Sequence, residues 1–305
     1  MKILMAGSSG LVGSELISLL TQKGHTVTRL VRELPVAGKH EISWNPKQGK
    51  LDPNEVEGFD VYINLAGDNI SSGRWTASKK MEILESRVCA TKLLCETAAH
   101  LKQPPKLIIN ASAVGFYGSR GETVVDESDP QGDGFLANVC NLWEQSTESA
   151  QKVGIRVALI RIGVVLAKEG GALASMLFPF KMGLGGVIGS GKQYMSWVAL
   201  DDLVRIFAFV IENDGIRGPI NAVSPNPVTN YEFTKTLGKV LHRPTIFPMP
   251  AILVRLAFGE MGDELLLGST RVEGLKLREA GYQFQYPKLE EALTHVLVEK
   301  KDALD

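Results

Sequence analysis

The chain has 305 residues, 44% of them hydrophobic and 22% charged, and its formal net charge is −1. This is the composition of an ordinary globular protein with enough residues for one large core or two lobes. The near-neutral charge and the lack of a basic cluster exclude a nucleic acid or a membrane as an expected partner. No apolar run reaches the ~18 residues that a transmembrane helix needs.

The cysteines are three and scattered, and their odd number argues against a disulfide framework: Cys89, Cys95 and Cys140. Neither the cysteines nor the five histidines show the spacing of metal ligands, so no metal is expected. The first apolar strand pattern begins at residue 2, which leaves no room for a signal peptide. Together these observations predict a cytoplasmic protein.

The first 32 residues carry the strongest functional signal. An apolar strand over 2–6 leads into Gly7-Ser-Ser-Gly10-Leu-Val-Gly13, then a helix over 11–22 and a second strand over 26–31. Such a turn lets backbone N–H groups approach a pyrophosphate, and the helix N-terminus adds positive potential. The alternative is a strand–helix turn with incidental glycines. The residues expected to contact a dinucleotide are Gly7, Ser9, Gly10, Leu11, Val12 and Gly13.

The GxxGxxG spacing resembles the extended branch of the short-chain dehydrogenase/reductase superfamily. Aligned with relatives whose second strand ends in Val-Leu-Asp, Val31 takes the position of the acid that binds the ribose of NAD, and Arg32 follows. A guanidinium pairs with a 2′-phosphate that a carboxylate would repel, so NADP(H) is the predicted cofactor and Arg32 its ligand. Glu33 is a competing candidate two positions late. Arg29 is either a second contact or an exposed strand residue.

Strand and helix patterns then alternate, which predicts a parallel sheet covered on both faces. Further strands are expected over 60–66, 106–112, 155–166 and 219–223, and helices over 76–101, 138–152, from 201, over 230–241, and from Pro250 and Pro287. The glycine-rich segment 163–191 is interpreted as a loop and short helix crossing between lobes. The predicted fold is α/β, a Rossmann-type doubly wound parallel sheet with a smaller, mostly helical C-terminal substrate lobe. The Rossmann domain takes residues 1–165 and about 197–224, and the substrate lobe takes about 166–196 and 225–305.

Later motifs extend the resemblance in the right order, from residue 2 to about 296. They include Ser72-Gly-Arg-Trp75, Ser112-Ala-Val-Gly-Phe-Tyr-Gly118, Trp143-Glu144, the glycine-rich run that ends at Trp197, and Asn221-Ala-Val-Ser-Pro225. Together they are similar to the putative sugar-nucleotide epimerase subfamily, atypical extended short-chain dehydrogenases with a small C-terminal domain of unassigned function.

This resemblance implies roles for residues at the strand ends. Leu65-Ala66-Gly67 would lie against the adenine ribose, and Arg161 would lie on the cofactor side. Ser112 would face the reacting carbon and polarise a carbonyl or alcohol by hydrogen bonding, unless it only ends its strand by bonding local backbone. Tyr117 matches the non-catalytic tyrosine of its element. It is one candidate proton donor, beside a substrate hydroxyl or water.

The catalytic YxxxK pair of the superfamily is missing. Counting back from Glu144 puts Cys140 at the lysine position and Leu136 at the tyrosine position, and neither residue can replace the phenol–ammonium pair. The one literal match, Tyr231 to Lys235, lies about 90 residues too late and is interpreted as the start of a helix.

Substrate contacts are expected from two segments. Arg74 and Trp75 together suit a phosphate or carboxylate beside an apolar ring, although Trp75 equally suits burial at the start of the long helix. Gln193, Ser196 and Trp197 either line the cleft or form a structural hairpin between the lobes.

Two functions follow from these residues and motifs. The first is an NADP(H)-dependent oxidoreductase or epimerase that acts on a small sugar-like or other polar carbonyl or alcohol substrate. The second is a catalytically silent NADP(H)-binding sensor or scaffold that acts through a protein partner, as the missing YxxxK pair suggests. A homodimer through two long helices is the assembly that analogy with the superfamily suggests.

Overall fold

The structure, a computed structural model, describes residues 1–36 and 38–299. The strands are β1 (Lys2–Ala6), β2 (Thr26–Val31), β3 (Glu41–Asn45), β4 (Lys50–Leu51), β5 (Val61–Asn64), β6 (Leu107–Ala113), β7 (Val124–Val125), β8 (Arg156–Ile162), β9 (Val164–Leu166), β10 (Tyr194–Met195), β11 (Trp197–Ala199), β12 (Gly218–Ala222), β13 (Val228–Thr229) and β14 (Arg271–Val272).

The helices are α1 (Leu11–Gln22), α2 (Pro53–Val56), α3 (Ala77–His100), α4 (Phe135–Gln145), α5 (Glu148–Lys152), α6 (Gly171–Lys181), α7 (Leu200–Glu212), α8 (Asn230–Leu241), α9 (Ala251–Phe258), α10 (Glu260–Gly262), α11 (Leu275–Glu279) and α12 (Leu289–Thr294). Short π-helical segments cover Asp263–Leu267 and His295–Glu299. No helix among the described residues is long and apolar enough to cross a membrane.

The large sheet has the order β12–β8–β6–β5–β1–β2–β3–β4. All neighbouring pairs run parallel except β3 and β4, which are antiparallel. Both faces of the sheet are covered. One carries a core shared with α1, α7 and α11, and the other a core shared with α3 and α5. The predicted doubly wound α/β fold is confirmed, because buried parallel strands need helices on both sides.

Strand β3 and the edge strand β4 were not predicted. Glu41–Asn45 alternates exposed and buried side chains, with Ile42 and Trp44 turned inward. Five residues with three polar members give too weak a strand pattern to stand out. The helix expected over 138–152 also divides into α4 and α5, and the strand expected over 155–166 divides into β8 and β9.

A further core, away from the two faces of the large sheet, joins α6, α8 and α12 around Trp197, Phe180 and Phe233. This is the main body of the predicted substrate lobe, whose residues 300–305 lie outside the described part. Residues 271–286 of the same predicted lobe pack against the Rossmann domain instead. β14 pairs with β7, and Leu277 lies in the core beneath the sheet.

Asp202 holds part of this contact. Its carboxylate accepts hydrogen bonds from the backbone of Gln285 at 2.7 Å and Tyr286 at 2.9 Å. This carboxylate therefore joins α7 to the C-terminal segment.

Candidate functional site

The glycine turn after β1 is shaped by two close backbone contacts. Gly7 has φ +75°, and a Cβ there would lie 2.5 Å from the carbonyl carbon of Leu65. A Cβ on Gly13 would lie 2.3 Å from the Gly7 carbonyl oxygen. Only glycine fits either position. The first glycine therefore lets β1 lie against the exit of β5, and the third lets α1 start directly against the turn.

Gly10 differs from its two neighbours. A Cβ there would lie 3.5 Å from the Gly7 oxygen, an ordinary contact, so the protein itself does not require glycine at this position. Gly10 is the N-cap of α1 and provides no side-chain hydrogen bond to the helix. By contrast, α8 begins with a complete capping box from Thr229 and Glu232. The uncapped N-terminus of α1 with a glycine at its entrance fits a pyrophosphate, whose oxygens would accept from the helix N–H groups.

Arg32 and Arg29 have different surroundings. Arg29 donates to Glu41 at 2.6 Å and is held on the sheet by this ion pair. Arg32 is exposed at the end of β2, where it lines a cavity of about 260 Å³ together with Trp44 and Lys50. Of the two arginines, Arg32 is therefore the one whose side chain is available to a phosphate.

The segment Leu65-Ala66-Gly67 leaves β5 next to the glycine turn. The Leu65 N–H donates to the Ala6 carbonyl at 3.0 Å, and the Ala66 N–H donates to the Asn64 side chain at 3.1 Å. Asn64 in turn donates to Asn110 at 2.7 Å in the buried interior. These bonds place the segment beside Gly7, where the predicted adenosine contacts would lie.

Ser112, Arg161 and Asn221 occupy one row across three adjacent strands, because Ser112 pairs in register with Arg161 and Arg161 with Asn221. Glu144 of α4 lies over this row. It accepts from Arg161 Nε and Nη2, each at 2.9 Å, and from the Ser112 hydroxyl at 2.7 Å. All four side chains are buried. We call Ser112, Glu144, Arg161, Tyr117 and Asn221 the buried network.

The direction of the Ser112 hydrogen bond limits its chemistry. Both oxygens of the Glu144 carboxylate accept from the Arg161 guanidinium, so Glu144 acts as the acceptor of the Ser112 hydroxyl. The single hydroxyl proton of Ser112 is therefore directed at Glu144, and its lone pairs are what remain for another group. In this arrangement Ser112 accepts a hydrogen bond from an alcohol more readily than it polarises a carbonyl.

Tyr117 lies at the other end of the network and is fully buried. Its hydroxyl donates to Asn221 at 2.8 Å and accepts from Arg161 at 2.9 Å. Burial raises the pKa of Tyr117 to about 12, although Arg161 opposes that shift. Arg161 also stacks on the Phe116 ring at 3.5 Å. Arg161, predicted on the cofactor side, and Tyr117, a candidate proton donor, therefore bind each other and their protein neighbours.

The positions of the missing YxxxK pair are also filled. Cys140 is buried, and burial raises the pKa of its thiol to about 12, so it carries no charge near neutrality. The backbone N–H groups of Phe135 and Leu136 donate to Glu264 at 2.7 and 2.9 Å. The C-terminal segment therefore supplies the carboxylate that caps α4 where the catalytic tyrosine would stand.

The predicted substrate residues at 74 and 75 make internal contacts. Arg74 donates to the Leu256 and Ala257 carbonyls at the end of α9. The Trp75 indole donates to the Ile70 carbonyl at 2.7 Å and packs edge-on against Phe135. Arg74 therefore joins the two lobes and stays exposed beside that joint, whereas Trp75 packs within the Rossmann domain.

The predicted residues at 193, 196 and 197 also hold chain segments together. Gln193 donates to the Ile188 and Leu266 carbonyls, each at 3.0 Å. Ser196 donates to the Thr270 carbonyl at 2.9 Å and accepts from the Val272 N–H at 2.8 Å. Trp197 is fully buried and donates to the Asn226 carbonyl at 3.0 Å. For Ser196 and Trp197, expected either to line the cleft or to form a structural hairpin, the buried contacts fit a structural role.

Sequence reasoning missed the roles of Glu144 and Glu264. Glu144 served only to count back to the missing motif, yet its place one turn after Cys140 on an amphipathic helix was a usable signal for a buried carboxylate. Glu264 lies 129 residues from Phe135, and no local pattern links the two.

A parallel doubly wound sheet with an open glycine turn at the end of its first strand defines a dinucleotide-binding protein of short-chain dehydrogenase architecture. Two family models match the chain: the NAD dependent epimerase/dehydratase family over residues 3–222, and a domain of unknown function, DUF1731, over residues 249–296. The chain belongs to the NAD dependent epimerase/dehydratase family, as the sequence motifs predicted.

Known relatives agree with this assignment. Epimerase family protein Mb2239 of Mycobacterium bovis is 45% identical over 291 residues, which are 95% of this chain and 96% of that protein. The crystal structure of human epimerase family protein SDR39U1 with NADPH is 34% identical, with a TM-score of 0.88 over 97% of this chain and 99% of that one. MoeE5 in complex with UDP-glucuronic acid and NAD has a TM-score of 0.79 at 19% identity over the full length of both chains, and shows the fold alone.

Proposed function

We propose that the protein binds NADP(H) and acts as an oxidoreductase or epimerase on a sugar-like or other polar alcohol or carbonyl substrate. The observation that carries the cofactor proposal is the pairing of the uncapped glycine turn with the exposed Arg32 at the end of β2. The human relative solved with NADPH supports it. The thiols form no disulfide, which accords with a cytoplasmic location.

Bound NADP(H) supplies hydride transfer. The residues of this chain would position its two ends. The turn Gly7–Gly13 would hold the pyrophosphate, and Arg32 would pair with the 2′-phosphate. Leu65-Ala66-Gly67 would lie along the adenosine. Ser112 would accept a hydrogen bond from the substrate hydroxyl while its own hydroxyl proton is donated to Glu144.

The test of the cofactor proposal is a paired titration with NADPH and NADH, followed by intrinsic tryptophan fluorescence. NADPH is expected to bind more tightly. Arg32→Glu should invert the preference, because one unit charge at ~4 Å and an effective dielectric near 20 interacts by about 4 kcal/mol before desolvation. Exposure reduces this effect, so we expect a tenfold to few-hundredfold loss of NADPH affinity.

Arg29→Gln is the matched control. It removes a guanidinium from the same strand, but that group is engaged by Glu41. NADPH selectivity should persist in this variant. Retained NADPH preference in Arg32→Glu would refute the role of Arg32, and failure of wild-type protein to bind either nucleotide would refute the proposal.

The second candidate is a catalytically silent NADP(H)-binding sensor or scaffold that acts through a protein partner. The observation that favours it concerns the buried network and its surroundings. Leu136 and Cys140 stand where the catalytic pair would be, and Tyr117 is fully buried. A screen of small carbonyls and alcohols that follows NADPH absorbance separates the two. Turnover that falls by ~10²-fold in Ser112→Ala supports the enzyme. Tight NADPH binding without turnover of any compound supports the sensor.

A further inference from the structure

Two segments of the C-terminal lobe run side by side over residues 181–189 and 243–251. Arg243 Nε donates to the Lys181 carbonyl at 2.9 Å. Further along, the Met249 N–H donates to the Val187 carbonyl at 2.8 Å, and the Gly189 N–H donates to the Met249 carbonyl at 2.9 Å. The end of α6, the loop before α9 and α9 itself therefore form one continuous surface.

This surface is apolar and projects into solvent. Seven large apolar side chains on it are between 54% and 75% exposed: Phe178, Met182, Leu184, Ile246, Phe247, Ile252 and Leu256. We call them the apolar face. Single exposed apolar side chains are ordinary, but a contiguous group of this size marks an interaction surface.

Cations border the apolar face. Lys235 donates to the Thr245 carbonyl at 3.0 Å, directly beside Ile246, and Lys181 and Arg243 flank Met182. In the part of the chain that the structure describes, these three cations have no carboxylate partner. The ion pairs of the region join other residues, such as Lys239 with Glu290 and Arg255 with Asp263.

The charge of these segments departs from that of the whole chain. Residues 166–196 and 225–259 hold seven lysines and arginines against two glutamates, whereas the full sequence has 33 basic and 34 acidic residues. Two of the seven, Lys239 and Arg255, pair with Glu290 and Asp263 outside these segments, so the positive charge beside the apolar face comes from Lys181, Lys235 and Arg243. An anionic surface is the complement of such a region.

We propose that the apolar face docks on an anionic lipid bilayer as a peripheral contact. Phe247 and Ile252 insert at the boundary between the headgroups and the acyl chains, while Lys181, Lys235 and Arg243 meet the headgroup phosphates. Apolar insertion and basic attraction together give the two signals that stable surface binding needs. This departs from the sequence expectation of no membrane partner, which rested on the average charge. The lipid docking does not depend on the reaction proposed above.

The experiment is flotation of the full chain with phosphatidylcholine vesicles and with vesicles that also contain phosphatidylglycerol. Binding to the anionic vesicles is expected, and it should weaken as salt screens the cations. The double variant Phe247→Glu with Ile252→Glu should reduce binding at least about tenfold. Lys181→Gln with Arg243→Gln should reduce it roughly fivefold per charge removed.

Val153→Glu is the matched control, because Val153 is 55% exposed, like Phe247 at 54%, but lies after α5. It should bind vesicles as the wild type does. NADPH titration of each variant checks that the fold is intact. The proposal is overturned if wild-type protein does not float with anionic vesicles, or if the apolar-face variants bind equally well. It is also overturned if the wild type fails to float but self-associates in light scattering and the double glutamate variant is monomeric, which would make the face a protein interface.

Discussion

At the carboxyl edge of the sheet, β1 leads into a glycine turn with an uncapped helix N-terminus. By contrast, the last-but-one residue of β6 is Ser112, whose hydroxyl already donates to Glu144. The first region leaves polar groups for a ligand to satisfy. The second satisfies its own: each member of the buried network donates to or accepts from another member. We call the glycine turn the binding end, because its free groups suit an external partner. We call the buried network the chemistry end, and its members are hydrogen-bonded to one another.

The two regions also use sequence differently. The binding end depends on what is absent, since side chains at Gly7 and Gly13 would strike backbone atoms. The buried network depends on what is present, since charged side chains are buried only with partners. Substitutions should therefore damage them in different ways, and the following experiments measure that difference.

The largest expected effect is on the buried network. Glu144→Ala leaves Arg161 buried without its bidentate partner and should reduce the free energy of unfolding by about 3–5 kcal/mol. Urea unfolding followed by tryptophan fluorescence measures this loss. The double change Glu144→Gln with Arg161→Met should cost less than Glu144→Ala alone, because no charge is left uncompensated. A loss under about 1 kcal/mol in Glu144→Ala would show that the pair contributes little and would weaken the comparison.

The next effect separates two glycines of the binding end. Gly13→Ala places a Cβ 2.3 Å from the Gly7 oxygen, so the turn must shift and NADPH affinity should fall by about a hundredfold or more. Gly10→Ala keeps ordinary protein contacts. Its unfolding free energy should stay within about 0.5 kcal/mol of wild type while NADPH affinity falls, because the methyl group projects where the phosphates would approach. Equal NADPH affinity in Gly10→Ala would mean that the entrance of α1 does not receive the phosphates.

Alkaline pH should weaken the protein through its buried thiols. Burial raises the pKa of Cys95 and of Cys140 to about 12, from an ordinary 9.0. Between these values the unfolded thiol loses its proton and the folded one keeps it, so stability is complete below pH 9 and falls as pH rises. The expected slope is about 1.4 kcal/mol per pH unit for each thiol. Urea unfolding from pH 8 to 10.5 should show a shallower slope in Cys140→Ala than in wild type, and an unchanged slope would place the thiol in contact with solvent.

The smallest effect compares the two helix starts. Thr229→Ala removes the capping box of α8 and should cost about 1 kcal/mol in thermal or urea unfolding. Adding saturating NADPH should stabilise wild type and Thr229→Ala equally, because the ligand acts at α1. A larger NADPH effect in the Thr229 variant would tie α8 to the cofactor site.

Local signals made the binding end predictable. The observed β1, α1, β2 and α8 have the bounds expected from the sequence, and Thr229 caps α8. In these elements the hydrophobic period, the glycines and the cap lie within a few residues of one another. Arg32 is exposed directly after β2, and its role as a phosphate ligand stays a prediction.

The chemistry end was only half predictable. Ser112 and Tyr117 were identified as catalytic candidates and Arg161 as a cofactor-side residue. Their mutual bonds depend on strand register and on Glu144 from a separate helix. Neither the strand register nor the contact with Glu144 can be predicted from a local sequence pattern. The sequence left Trp197 between a cleft lining and a structural hairpin, and its packing against α6 and α8 places it in the core. Contacts between distant segments decide which polar residues stay open and which are closed.

The carboxylate of Glu264 has a consequence for how the chain matures. It caps α4 from 129 residues downstream, and the Arg120 N–H likewise donates to the distant Ser269 carbonyl at 2.7 Å. The ribosome synthesises α4 long before it adds these acceptors. The N–H groups at the start of that helix therefore lack their Glu264 acceptor until residue 264 has been added. The C-terminal segment is thus the final step in assembling the site, and a polypeptide stopped before residue 264 would hold a finished cofactor turn beside an unfinished helix.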